Sequence, residues 1–177
     1  MRFKPTKDDT IVILGDVGAN YFGDIRDNKL KEAFAKLEPT IFCIHGNHEM
    51  RPWNIPTYRT KEWNGGTVWY EENYPNILFA KDGEVFDIED TKHLVIGGAY
   101  SVDKFYRLGR GYGWWENEQP SEEIKQYVEQ QIKEKEFDVV LSHTCPFKYE
   151  PIETFLPGIG RIYLPASRTW KHNRTGQ

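Results

Sequence analysis

The sequence predicts one α/β domain in which layered β-sheets are flanked by helices. Short, continuous apolar runs that end at glycine or at polar residues are typical of strands buried on both faces. Segments with apolar residues at helical spacing lie between these runs. A strand, a helix and a second strand over about 35 residues form a βαβ unit, whose crossover places the two strands parallel.

The first predicted βαβ unit spans residues 11–44. Its strands are residues 11–14 and 40–44, and its helix begins near Asp24 and ends before Pro39. The helix has an apolar stripe at Leu30, Ala33, Phe34 and Leu37 and a polar face at Lys29, Lys31, Glu32 and Lys36. We therefore expect the stripe to pack against the strands and the polar face to meet solvent.

The rest of the chain adds shorter strands, a long connection and a further helix. Residues 51–66 are rich in Pro, Trp, Asn and Gly and are predicted to be irregular. The later predicted elements are strands at 68–70, 77–80, 84–88 and 93–96, a connection at 97–119, a helix capped by Ser121 and a buried strand at 137–141.

Composition limits the class of protein. The chain has 177 residues, of which 38% are hydrophobic and 28% charged, as is ordinary for a globular domain with its own core. A net charge of -4 argues against a nucleic-acid partner, since such binders are normally basic. No apolar run approaches the roughly 20 residues of a membrane span, and the polar N-terminus shows no secretory signal. We expect a cytoplasmic protein with no membrane partner.

Three of the apolar strands are followed by polar side chains at their carboxyl ends. These side chains are Asp16, Asn47, His48 and His143. The carboxyl ends of parallel strands lie at one edge of a sheet, so we expect the four to converge there. A carboxylate, an amide oxygen and an imidazole suit Mn, Fe, Zn or Co better than a structural zinc cage. We predict Asp16, Asn47 and His143 as metal ligands, with His48 placed to protonate a leaving oxygen.

Each of these residues also has a simpler interpretation. Asp16 alone would serve as a turn residue or helix cap. Asn47 and His48 would form a turn with a surface histidine, and His143 would be a strand-end histidine bonded to backbone. The shared position at strand ends favours the common site over these separate readings.

Two further residues are weaker candidates. Glu49 either orients His48 as a supporting partner or is a solvated acid at a helix start. Arg107, in the long connection with Tyr100, Tyr106 and Arg110, either contacts a substrate phosphate or packs the loop.

The motifs Gly15-Asp16 and Gly46-Asn47-His48-Glu49 and the lone His143 resemble three motifs of the calcineurin-like metallophosphoesterase superfamily, over about residues 10–157. The resemblance implies metallophosphoesterase-like sheets in which Asp16 bridges two metals, Asn47 and His143 bind one of them, and His48 assists phosphate chemistry. It implies hydrolysis of phosphate mono- or diesters through a metal-activated hydroxide, with Mn²⁺ as the expected metal. The substrate would be a phosphorylated small molecule, a nucleotide or a phosphoprotein.

The sequence departs from that family at both ends. Its Asp-x-His and Gly-His-x-His motifs have no counterpart, Ala19 stands where relatives often have Asp, and the final segment offers only His172. We expect a shortened metallophosphoesterase-like domain at residues 1–159 and a divergent tail at 160–177. At most one well-held metal is expected where relatives hold two, and the sheet edge at residues 11–14 would favour self-association.

Two other functions compete with the hydrolase. The absent motifs favour a catalytically impaired remnant that binds metal or phosphate without turnover. The same scaffold would also suit a nuclease or nucleotide phosphodiesterase, although the acidic charge provides no basic track for a nucleic acid.

Overall fold

The computed structural model describes residues 4–145, and the part up to His143 forms one compact unit. Its strands are β1 (Thr10–Leu14), β2 (Thr40–Ile44), β3 (Tyr58–Trp63), β4 (Gly66–Glu71), β5 (Tyr74–Ala80), β6 (Val85–Ile88), β7 (Thr91–Ile96) and β8 (Val139–Ser142). Its α-helices are α1 (Asn28–Ala35), α2 (Lys104–Arg110) and α3 (Glu122–Glu134). The predicted boundary between residues 159 and 160 lies outside the described residues.

The first sheet has five strands in the order β1-β2-β5-β4-β3. β1 pairs parallel with β2 and β2 pairs parallel with β5, while β3, β4 and β5 pair antiparallel in sequence. The parallel pair β1 and β2, with α1 between them in the chain, is the βαβ unit that the apolar pattern predicts. The α/β class is therefore confirmed.

A second sheet has three strands in the order β6-β7-β8. β8 pairs parallel with β7, so it does not join the sheet that contains β1 and β2. This corrects the expectation that the three site-bearing strands share one sheet. β8 is also not fully buried, because Val139 and Val140 are exposed.

The core lies on both faces of β2, whose side chains alternate between two clusters. Ile41 and Cys43 pack in one cluster, together with Phe34 of α1. Phe42 and Ile44 pack in the other, which contains Phe86 and Val95 from the second sheet and Val68 and Leu78 from the first. α1, the five-stranded sheet and the three-stranded sheet therefore form successive layers.

Among residues 4–145, β1 lies at the edge of its sheet, and it is not buried on both faces. Val12 and Leu14 are 37% and 49% exposed, although their strand is a continuous apolar run. The apolar run predicted the strand correctly but not its burial, because Val12 and Leu14 lie on one face of β1 that the second layer does not fully cover. Among residues 4–145, no helix is both long enough and apolar enough to cross a membrane.

Two segments that were predicted without regular structure contain elements. β3 lies within residues 51–66 and forms a hairpin with β4. The turn is Asn64-Gly65, and both residues have positive φ angles, of 48° and 84°. Asn-Gly between two extended segments is a strong hairpin signal. The turn therefore predicts β3, although the Pro, Trp, Asn and Gly content of residues 51–66 indicates an irregular segment. The connection at 97–119 likewise contains α2.

Lys31 was predicted to face solvent but is buried, with 3% of its surface exposed. Its ammonium group pairs with Glu71 of β4, and it lies 5.1 Å from the centre of the Tyr58 ring. Thr57 Oγ1 donates a further hydrogen bond to the Glu71 carboxylate. This polar cluster ties α1 to the first sheet at a position where the helical pattern alone indicates solvent.

Replacing Lys31→Met should lower the free energy of unfolding by about 3 kcal/mol, because the Glu71 carboxylate is then buried without its partner. Urea denaturation of the chain measures the change. The Lys31→Met/Glu71→Gln double variant should recover part of the loss, and Lys29→Met on the exposed side of α1 is the control. A single variant as stable as the control would contradict this role for the pair.

Candidate metal centre

The candidate site forms where the ends of three strands meet. Asp16 follows β1, Asn47 follows β2, and His143 follows β8 of the second sheet. His143 Nε2 lies 2.9 Å from Asn47 Oδ1 and 3.7 Å from Asp16 Oδ1. The structure thus brings the three predicted ligands together, although they come from two sheets and not from one.

Two glycines make this approach possible. A Cβ atom added to Gly46 would lie 2.1 Å from Asp16 Oδ1, and one added to Gly15 would lie 2.0 Å from His143 Nδ1. Asp16 itself has a φ of 50°, a conformation that non-glycine residues rarely adopt. An uncommon backbone conformation therefore positions the Asp16 carboxylate. The missing side chain of Gly46 leaves room for that carboxylate, and the missing side chain of Gly15 leaves room for His143.

His48 lies between two carboxylates beside the three predicted ligands. Its backbone N–H donates to Asp16 Oδ1 at 2.9 Å, and its Nδ1 lies 3.3 Å from Asp16 Oδ2. Its Nε2 lies 3.3 Å from Asp103 Oδ1. The side chain is 31% exposed, so a substrate can reach the ring.

The family model for calcineurin-like phosphoesterases matches residues 2–164, which is most of the chain. The chain belongs to this family. Searches among curated proteins and among solved structures return no match. Membership confirms the resemblance drawn from the motifs and associates this calcineurin-like phosphoesterase with metal-dependent hydrolysis of phosphoesters. The roles of its individual site residues remain predictions.

The hydrogen bonds of His143 suit a metal ligand in this calcineurin-like phosphoesterase. Its Nδ1 is 2.7 Å from the Leu14 carbonyl oxygen, which can only accept, so Nδ1 carries the proton. When the ring is neutral, Nε2 presents a lone pair towards the oxygens of Asn47 and Asp16. In that state three lone pairs face one another, and a cation is the partner that satisfies all of them. The donor set therefore fits a divalent metal ion.

The ligand set depends on an amide. Across residues 4–145, no group of three or more His, Cys, Asp or Glu side chains is arranged to hold a metal ion. Asn47 supplies the third donor beside Asp16 and His143, and its Nδ2 is engaged separately with Ser101 Oγ at 2.8 Å. A single cation position with mixed oxygen and nitrogen donors is what these side chains can provide.

Glu49 does not have the predicted contact with His48. It is fully buried, its Oε1 accepts a hydrogen bond from the Gly46 N–H at 2.8 Å, and it lies 3.5 Å from His45 Nδ1. It is not a solvated acid either. Burial raises the pKa of Glu49 to about 7, opposed by the hydrogen bond from Gly46. Asp16 and Asp103 hold His48 instead.

Arg107 uses its guanidinium group on acceptors of the protein itself. Nε donates to the Gly113 carbonyl at 2.7 Å, Nη2 donates to the Tyr21 hydroxyl at 3.3 Å, and Nη1 lies 3.3 Å from Asp103 Oδ2. These contacts favour the packing interpretation of Arg107 over direct contact with substrate. Through Asp103, Arg107 also supports the carboxylate that faces His48.

Asp103 is a site residue that the motifs did not reveal. It lies in the long connection, directly before α2, where no motif distinguishes it from other polar loop residues. The only available signal was its spacing from Arg107, since an acid and a base four residues apart pair on a helix.

Replacing Gly46→Ala should weaken Mn²⁺ binding by about tenfold or more, because the new methyl group would overlap the Asp16 carboxylate. Calorimetric titration with Mn²⁺ measures the affinity. Gly109→Ala in α2 is the matched control, because a Cβ atom there meets nothing within 4 Å. Equal affinities for the two variants would argue against Asp16 as a ligand.

The raised pKa of Glu49 predicts how the metal-free protein responds to pH. Between about 4.5 and about 7 the folded protein keeps a proton on Glu49 that the unfolded chain releases. Stability from this group is therefore complete below that window and is lost as pH rises through it. Glu49→Gln should gain stability relative to wild type from about pH 5 to about pH 8, on the order of 1–3 kcal/mol.

Urea denaturation in a chelator at the two pH values provides the measurement. Glu32→Gln, at an exposed position of α1, is the control that should show no such change. A difference between Glu49→Gln and wild type that is the same at both pH values would contradict the assignment.

Proposed function

We propose that this calcineurin-like phosphoesterase hydrolyses phosphate mono- or diesters with one divalent cation held by Asp16, Asn47 and His143. The observation that carries the proposal is the position of His143 Nε2, which lies 2.9 Å from Asn47 Oδ1 and 3.7 Å from Asp16 Oδ1 while Nδ1 is bonded to the Leu14 carbonyl. The family match over residues 2–164 supports the reaction class.

When bound, the cation would neutralise charge on the phosphoryl oxygens and lower the pKa of a water molecule. Asp16 links this position to the catalytic imidazole, since its Oδ1 faces His143 and accepts from the His48 N–H while its Oδ2 faces His48 Nδ1. Asp16 therefore positions His48, the proposed general acid, relative to the proposed metal site.

His48 is the proposed catalytic residue. Each of its ring nitrogens has a carboxylate oxygen at 3.3 Å, so both N–H groups of a protonated ring find an acceptor. Nδ1 stays on Asp16, and Nε2 transfers its proton to the leaving oxygen of the substrate, which replaces Asp103 Oδ1 as the partner of that N–H. Asp103 orients that nitrogen, and Arg107 holds Asp103 in place.

We propose Mn²⁺ as the metal and one well-held cation per chain. Oxygen donors from a carboxylate and an amide, completed by one imidazole, suit Mn²⁺, with Fe, Zn or Co as alternatives. The described residues direct three donors to one position, and Asp16 is the only carboxylate among them. His172, the remaining histidine of the final segment, lies outside the described residues.

A non-catalytic metal- or phosphate-binding protein is the competing function. It is favoured by the absence, within residues 4–145, of a metal-sized group built from His, Cys, Asp and Glu alone. Turnover of p-nitrophenyl phosphate and of its bis-ester, with Mn²⁺ in excess, separates the functions. Hydrolysis of the monoester or diester that requires Mn²⁺ supports the proposal, preference for the bis-ester favours a phosphodiesterase, and Mn²⁺ binding without turnover favours the competitor.

Replacing His48→Ala should lower kcat by about 10²–10⁴-fold, the usual contribution of a general acid, while Mn²⁺ content stays near that of wild type. The backbone hydrogen bond from residue 48 to Asp16 survives the change, so the ligand keeps its position. Steady-state kinetics and elemental analysis of the same samples measure both quantities.

His93→Ala is the matched control, since His93 lies on β7 and its Nδ1 bonds the Thr91 carbonyl. A His48→Ala variant that loses its metal but keeps its activity per bound metal would show that His48 is a ligand and not the acid.

A further inference from the structure

The amide of Asn47 is held by a buried chain of hydrogen bonds from the connection between β7 and α3. Asn47 Nδ2 donates to Ser101 Oγ at 2.8 Å, and the Ser101 N–H donates to Glu118 Oε1 at 3.1 Å. The indole of Trp114 donates to Glu118 Oε2 at 2.7 Å. Asn47, Ser101 and Glu118 are 7%, 1% and 3% exposed, so water does not compete freely for these bonds.

The orientation of this amide decides whether the site can hold a cation. In the structure Oδ1 lies 2.9 Å from His143 Nε2. If the amide turned over, Nδ2 would donate to His143 Nε2 and occupy the lone pair that a cation needs. Cation binding therefore requires a separate acceptor for Nδ2, and Ser101 Oγ accepts one of its N–H groups.

Removing the hydroxyl would change the balance between the two orientations. With Oδ1 towards the cation, the buried Nδ2 would have lost its acceptor, which is costly. In the turned orientation, Nδ2 would be satisfied by His143 instead, and the group without a partner would be Oδ1. A buried carbonyl oxygen without a donor is tolerated more often than a buried N–H without an acceptor. Loss of Ser101 Oγ therefore favours the orientation that excludes the cation.

The hydroxyl belongs to a rigid frame. The backbone carbonyl of Glu118 accepts from the Ala99 N–H at 3.2 Å and from Arg51 Nη2 at 3.5 Å. Arg51 is itself buried and pairs with Asp82 at 2.8 Å. The segment that presents Ser101 is thus fastened to the sheets by a buried ion pair and by hydrogen bonds.

We propose that Ser101, oriented by Glu118, is a positioning residue that keeps the oxygen of the Asn47 amide towards the metal. The proposal rests on the proposed metal site. It assigns a role to two residues that contact neither the cation nor the substrate and that no motif includes.

Calorimetric titration of the full chain with Mn²⁺ tests the proposal through a double-mutant cycle of Ser101→Ala, Asn47→Ala and the pair together. Ser101→Ala should weaken Mn²⁺ binding by about 10–100-fold in the wild-type background. It should have no further effect in the Asn47→Ala background, titrated to millimolar Mn²⁺. Ser121→Ala, which removes the hydroxyl that caps α3, should bind Mn²⁺ like wild type.

The outcomes distinguish a failure of the positioning role of Ser101 from a failure of the proposed metal site. If wild type does not bind Mn²⁺, the proposed metal site itself is wrong, and the positioning role falls with it. If wild type binds and Ser101→Ala binds equally well, only the positioning role is wrong. An effect of Ser101→Ala that persists without Asn47 would also overturn the role.

Thermal melting in a chelator verifies that each variant folds. If Ser101→Ala does not fold, Ser101→Cys takes its place, because a thiol fills the volume but is a weak acceptor. The same loss of affinity is expected from it.

Discussion

The hydrogen bond between His143 Nδ1 and the Leu14 carbonyl is the contact on which the candidate site depends. It joins the end of β8 in the second sheet to the end of β1 in the first, across a gap that Gly15 leaves open. It also places the proton of the ring on Nδ1, which turns the Nε2 lone pair towards Asn47 and Asp16. The proposed cation position needs side chains from both sheets and therefore depends on this contact.

Around this contact the protein buries ionisable groups and uses an uncommon backbone conformation, both of which are rare in a protein core. Glu49 is a carboxyl group with no exposed surface, Arg51 is a buried guanidinium paired with Asp82, and Asp16 adopts a left-handed backbone conformation. Each of these carries a cost in stability. Their concentration within a few residues of the three predicted ligands is typical of a site selected for chemistry and not for folding.

Local patterns predicted the parts of the fold that depend on neighbours in sequence. The apolar runs of β1 and β2 with the amphipathic segment between them predicted a parallel βαβ unit, and glycine followed by polar residues marked where Asp16, Asn47 and His48 leave the strands. The burial of Lys31 was not predictable in this way, because its partner Glu71 is distant in sequence. For the same reason, the sequence does not predict which sheet β8 joins.

The supporting residues of the site were the hardest to predict. Asp103 and Ser101 come from a connection with no periodicity, and their roles arise only when that connection folds back over the strand ends. Glu49 shows the opposite error, since its position beside His48 in sequence suggested a contact that the turn after β2 does not make. Residues adjacent in sequence often do not contact each other in a loop, because the backbone changes direction there.

The proposed function depends on one cation held by Asp16, Asn47 and His143. Anomalous X-ray scattering from crystals grown with Mn²⁺ tests it most directly. We expect one dominant peak within bonding distance, about 2.0–2.6 Å, of Asp16, Asn47 and His143 Nε2. No peak among these three side chains, or a dominant peak bound elsewhere in the chain, would contradict it.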